Sequence, residues 1–141
     1  MRTILAVTVG AILSVGVVAG HDHVPKDMKV FSAEDIAEKL DGKETKATTY
    51  EVTIEPGKGS VPHRHPGPVF AYILEGEYEW AIKDQPVKRL KAGDTFYEPA
   101  MCLHRVSHNP GKTVTRLLVV MLHPRDAEEL VIPERSNDAR P

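Results

Sequence analysis

Residues 57–76 read G-K-G-S-V-P-H-R-H-P-G-P-V-F-A-Y-I-L-E-G. Two histidines, His63 and His65, flank one arginine and run into a Pro-Gly-Pro turn before an apolar, strand-like run. On an extended chain, residues two apart point the same way, with Cα atoms ~6.6 Å apart. Both imidazoles therefore project from one face and Arg64 from the other. Two imidazoles at that spacing can converge on one metal ion, but an H-x-H pair in an exposed loop looks the same. The decision lies in what the rest of the chain brings to that point.

Working outward, the texture is that of short strands. Residues 46–55 (K-A-T-T-Y-E-V-T-I-E) alternate with β-branched and aromatic residues and stop at Pro56-Gly57. Residues 69–82 form two runs meeting near Glu75-Gly76, and further runs follow over 86–99, 103–112 and 113–124. Gly93, Pro99, Pro110-Gly111 and Pro124 punctuate them. Strands at this spacing with no helix between them predict an all-β sandwich or barrel. The last strand is apolar on both faces, with Leu117, Val119 and Met121 on one and Leu118, Val120 and Leu122 on the other, which predicts an interior position. One short helix is expected before the barrel, over F-S-A-E-D-I-A-E-K-L (31–40). Ser32 would cap it, Asp35 would be the reciprocal partner, Ile36 and Leu40 would form its apolar stripe and Gly42 would follow its end.

Two spacings then stand together. Gly57 to His65 reads G-x5-H-x-H, and Gly93 through Pro99 to His104 reads G-x5-P-x4-H. The pair resembles the two signature motifs of the cupin superfamily, over roughly Thr48 to Pro124. The resemblance implies a single jelly-roll (double-stranded β-helix) barrel, with His63, His65 and His104 sharing a metal inside it. The chain also departs from the family pattern. Where the first motif usually carries a metal-binding glutamate, seven residues before Gly76, this chain has Val69. Met101 stands at the second motif's usual glycine and His108 at its usual asparagine.

Three neutral imidazoles suit a divalent transition metal such as Fe, Mn, Ni, Cu or Zn. Without a carboxylate the site keeps its full charge and at least one open position, which favours a chelating anionic or enolate-like substrate. Glu98, in T-F-Y-E-P, would sit inward at an apolar strand end, where a carboxylate is costly unless paired. It is the expected acid–base group; a fourth ligand, a partner orienting a histidine and a surface salt bridge are the other readings. His108 lies four residues, ~13 Å, beyond His104, too far to join a flat site, and is expected to line the barrel or bond a neighbour. His123 is expected at the rim. Tyr72, Trp80, Met101 and Met121 are read as packing, and Cys102 as a small buried filler.

Composition sets the surroundings. Residues 4–18 are apolar apart from Thr8 and Ser14, follow a basic start at Arg2 and end in small residues before a polar stretch. This is the layout of a secretory signal, and 15 residues are short against the ~20 a spanning helix needs. Cleavage is expected after Ala19 or Gly20, with no membrane span remaining. A cut after Gly20 would free the amine of H-D-H, and His21 with His23 could then form a square-planar Cu(II) or Ni(II) site, although a plain terminus is the simpler reading. The full chain carries 18 bases and 20 acids, and residues 1–20 hold one base and no acid, so the mature net charge is near −3. Such a surface suits neither nucleic acid nor an anionic membrane.

The expected organisation is therefore a signal segment over 1–20, an extension with the short helix over 21–44, a barrel over 45–133 and a loose tail over 134–141. The expected protein is periplasmic or secreted, with a small-molecule substrate and a homodimer as its partners. Some superfamily members with three histidines are dioxygenases, so the resemblance implies a metal-dependent enzyme of that type, acting on an enol, diketone or polyphenol. A Lewis-acid lyase or isomerase and a non-catalytic small-molecule- or metal-binding module are the alternatives.

Overall fold

The computed structural model describes residues 26–134. The expected signal segment, His21 with His23, and the tail beyond Glu134 lie outside the described residues. Among the described residues, no helix is long and apolar enough to cross a membrane.

Eleven strands follow in order: β1 Met28–Leu40, β2 Lys43–Ile54, β3 Gly59–Ser60, β4 His63–Arg64, β5 Val69–Glu75, β6 Glu77–Ile82, β7 Lys88–Lys91, β8 Thr95–Glu98, β9 His104–His108, β10 Thr115–Pro124 and β11 Ile132–Pro133. They form two antiparallel sheets. One runs β1-β2-β10-β5-β8; the other runs β11-β4-β9-β6-β7, with β3 also paired to β9. The all-β double-sheet architecture expected from the sequence is present. Strand β10, apolar on both faces, lies in the middle of its sheet between β2 and β5. Its Leu117, Val119 and Met121 are buried in the core, while Leu118 and Val120 are half-buried on the outer face.

The short helix expected over 31–40 is not formed. Those residues belong to β1, which pairs with β2 from Met28↔Val52 to Leu40↔Lys43, with irregularities between Val30 and Ser32 and between Ile36 and Lys39. The physical reason is the dipeptide after it. Asp41 and Gly42 both take positive φ, 51° and 76°, the backbone of a two-residue hairpin turn that returns the chain directly onto β2. Asp-Gly read as a helix stop is the same text as Asp-Gly read as a hairpin turn. Ladder bonds along β2 outweigh a helix carrying only two stripe residues. Thr45 Oγ1 accepts from Leu40 N at 2.9 Å and closes the end of this hairpin.

Inward residues of the first sheet stack in rows. Thr48, Met121, Val69 and Glu98 are successive cross-strand partners across β2, β10, β5 and β8. Tyr50, Val119, Ala71 and Phe96 form the next row. Directly opposed residues point to the same face, so both rows face the space between the sheets. Cys102 and Met121 pack in this core as expected, whereas Tyr72 and Met101, read as packing residues, are about half exposed.

Candidate metal centre

His63 lies on β4 and His65 directly after it. Both are buried, and Arg64 between them turns outward to Glu134 and the Met101 carbonyl. Gly67 lets the chain make the Pro-Gly-Pro turn, since a Cβ there would overlap the Leu122 carbonyl oxygen. His104, buried at the start of β9, is the direct cross-strand partner of His63. One nitrogen from each of the three imidazoles lies within 4.8 Å of the others. His63 and His104, 41 residues apart in the chain, are thus brought together by β4–β9 pairing.

The hydrogen bonds prepare these rings as donors of lone pairs. His63 Nδ1 is 2.8 Å from the Val61 carbonyl and His65 Nδ1 is 2.7 Å from the Leu130 carbonyl. A carbonyl can only accept, so each Nδ1 carries its proton and each Nε2 is left unprotonated. Tyr78 Oη donates to Ser107 Oγ at 2.8 Å and can accept from His104 Nε2–H at 3.4 Å, which leaves His104 Nδ1 as the bare nitrogen. Burial lowers the pKa of all three, His65 to about 4 and His104 to about 3, against a weaker raising effect of the Leu130 carbonyl on His65. They are neutral ligands at neutral pH without further proton release.

Glu98 joins the site from β8. Its side chain is almost fully buried, and burial pushes its carboxyl up to about 7, against the opposing pull of the Trp80 indole, which donates to Oε1 at 2.9 Å. Oε1 is also 3.0 Å from His104 Nδ1, and Oε2 is 3.4 Å from His65 Nε2. Neither approach has hydrogen-bond geometry: Glu98 Oε2 and His104 Nδ1 are buried with no hydrogen-bond partner among the described residues. An unpartnered buried polar atom costs about 1–3 kcal/mol. Two of them, both electron-pair donors and both beside the imidazole cluster, are what a cation would satisfy. The residues fit a divalent metal held by His63, His65 and His104, with Glu98 against it.

The remaining histidines stand apart. His108 Nδ1 meets Glu79 Oε2 at 3.2 Å, the neighbour contact expected of it. His123 is buried rather than an open rim residue, and its Nε2 meets Thr48 Oγ1 at 2.9 Å. Three partners escape sequence reasoning: the Leu130 carbonyl, Tyr78 and Tyr50. The two tyrosines leave a trace, since Tyr50 alternates in phase with Thr48, Val52 and Ile54, and Tyr78 with Trp80 and Ile82; the Leu130 carbonyl leaves none. A cavity of about 370 Å³ opens onto the cluster, walled by Tyr50, Phe96, Leu117 and Val119 as well as the site residues.

Residues 50–121 match the family described as the cupin domain. Among curated proteins no sequence matches. Among solved structures, similar folds occur in a cupin-family protein of Methanocaldococcus jannaschii with a double-stranded β-helix (19% identity, covering 64% of this chain and 77% of that one, TM-score 0.50). The polyketide cyclase RemF of Streptomyces resistomycificus is 22% identical, covering 82% of this chain and 78% of that one, with a TM-score of 0.52. The DMSP lyase DddQ of Ruegeria pomeroyi is 20% identical, covering 70% of this chain but only 49% of that one, with a TM-score of 0.52. At these identities the likeness is one of fold. The double motif, the two-sheet barrel and the match over half its length agree, and the chain belongs to the cupin family.

Proposed function

We propose that this chain is a metal-dependent cupin enzyme of dioxygenase type, acting on a small substrate with chelating oxygens such as an enol, a diketone or a polyphenol. The observation that carries the reading is the convergence of three lone-pair-bearing imidazoles beside an unpartnered buried carboxylate, at a cavity with apolar walls. His63, His65 and His104 would hold the metal; when bound, it supplies positive charge that polarises chelating oxygens and, if redox-active, electron transfer to dioxygen. Val69 leaves an apolar wall where the family's carboxylate usually stands, so room remains for substrate. Glu98 Oε2, free of hydrogen bonds, takes the proton that a chelating hydroxyl gives up, while Trp80 holds Oε1 in place. Phe96, Leu117 and Val119 exclude water from that exchange. The signal-like composition of residues 1–20 supports export to the periplasm or beyond as part of the same reading.

The test begins with elemental analysis of protein purified without chelators or a metal-binding tag. Oxygen uptake is then followed with a panel of enols, diketones and catechols, for the parent and for Glu98→Gln. The reading expects about one divalent metal per chain, uptake by the parent, and retained metal with lost turnover in the variant. Product formation without oxygen uptake would make it a Lewis-acid lyase or isomerase. Absence of metal would overturn the reading, and loss of metal in Glu98→Gln would make Glu98 a ligand instead.

A further inference from the structure

Tyr50 is among the largest fully buried side chains, only 2% exposed, and it points inward from the middle of β2. In its row, Ala71 is the smallest residue and lies between Val119 and Phe96. Tyr50 lines the same cavity as His63, His65, His104 and Glu98.

Its hydroxyl differs from the other buried polar groups of the barrel wall. Tyr78 Oη is spent on Ser107, and the Trp80 indole on Glu98. Among the described residues, the Tyr50 hydroxyl has no hydrogen-bond partner. At the cavity wall such a hydroxyl is met by water or by an acceptor that enters the cavity and displaces it. Burial, with the nearby Glu98 charge adding to it, raises the phenol's pKa well above its ordinary value, so the group keeps its proton and acts as a donor.

We propose that the Tyr50 hydroxyl donates a hydrogen bond to an oxygen anion of the bound ligand, a carboxylate or enolate oxygen on a small, mostly apolar compound. This rests on the metal-site reading and names the ligand class for that site. The chemistry of the cavity selects the class. A metal and a phenol O–H both call for an oxygen acceptor, while Phe96, Leu117 and Val119 call for an apolar body. A volume of about 370 Å³ lies near the lower end for ligand cavities, so the ligand is small.

The test uses full-length mature protein loaded with Zn(II), which is redox-inert, and acetohydroxamate as a bidentate oxygen probe. Tyr50→Phe removes only the hydroxyl oxygen. Zinc content and azide affinity should match the parent, since azide needs only the metal. Acetohydroxamate should bind about ten- to a hundred-fold more weakly, the range for losing one hydrogen bond to a charged acceptor. Equal acetohydroxamate affinity, or azide weakened to the same degree, would overturn the proposal. In the parent, ultraviolet difference spectra should show a red shift of the tyrosine band on acetohydroxamate binding; absence of that shift overturns it even if the variant fails to fold. If the parent takes up no zinc, the metal-site reading falls by itself. Tyr50 is then judged on metal-free protein with acetate, where equal or absent binding by parent and variant overturns it.

Discussion

Val69 and Glu98 stand directly opposite each other on β5 and β8, both buried and both lining the cavity of the histidine cluster. Val69 is the position where the cupin pattern usually supplies its carboxylate. In this chain the acid stands one strand over, on the same face, where opposed Cβ atoms are ~5 Å apart. The carboxylate has changed strands without leaving the neighbourhood. Val69→Glu would therefore set two acids against each other in an apolar interior, where one must stay protonated or be neutralised. The variant should melt well below the parent when metal-free and recover more stability than the parent on adding zinc. Melting curves with and without chelator decide it; equal chelator sensitivity in both proteins would contradict the placement.

Removing one of the three histidines should cost more metal affinity than losing an orienting partner, which typically costs 10–100-fold. His63→Ala, His65→Ala and His104→Ala should each bind zinc at least about 100-fold more weakly, measured by competition with a chromophoric chelator. His108→Ala, whose ring engages Glu79, should bind as the parent does.

Trp80→Phe keeps an aromatic ring against Phe96 but removes the only hydrogen bond to Glu98 Oε1 among the described residues. A buried carboxylate oxygen would lose its partner, at about 1–3 kcal/mol. Chemical denaturation of the metal-free variant should show that loss. An unchanged midpoint would mean that the indole does not hold the carboxylate.

Met101 occupies the usual glycine of the second motif and takes a left-handed φ of 56°. Its amide still donates to the His65 carbonyl at 2.9 Å, so the strained turn is tied to the site. A side chain in that region costs about 1–2 kcal/mol, partly offset by the greater freedom glycine has when unfolded. Met101→Gly should raise stability by up to about 1 kcal/mol with zinc affinity unchanged, as read from denaturation midpoints and a zinc titration.

The sequence was most legible where chemistry and period coincide. His63 and His65 share a face because they are two residues apart, and the glycine and proline around His104 mark a matching motif. The apolar character of both faces of β10 also marks it as an interior strand. The region 31–40 reads equally as a capped helix through Ser32, Asp35 and Gly42, and only the partner strand β2 resolves Asp41-Gly42 as a hairpin. The opposition of Val69 and Glu98 depends on the β5–β8 register, which no local pattern encodes. The same holds for the Leu130 carbonyl behind His65, 65 residues away in the chain.

That last contact bears on the order in which the molecule is built. Beyond β10, the chain crosses back so that Ile132 and Pro133 pair with Arg64 and His63, and Arg64 grips Glu134 through two hydrogen bonds. His65 receives its orienting partner only once this late segment has docked. His63 and His65 alone offer an unfolded chain a weak two-nitrogen chelate, whereas the complete set needs pairings that span tens of residues. Such long-range closures are slow relative to local ones. An ion bound at this site would therefore be captured late, following barrel closure rather than nucleating it. Any ion held earlier by the local pair stabilises the unfolded chain and subtracts from the net gain on folding.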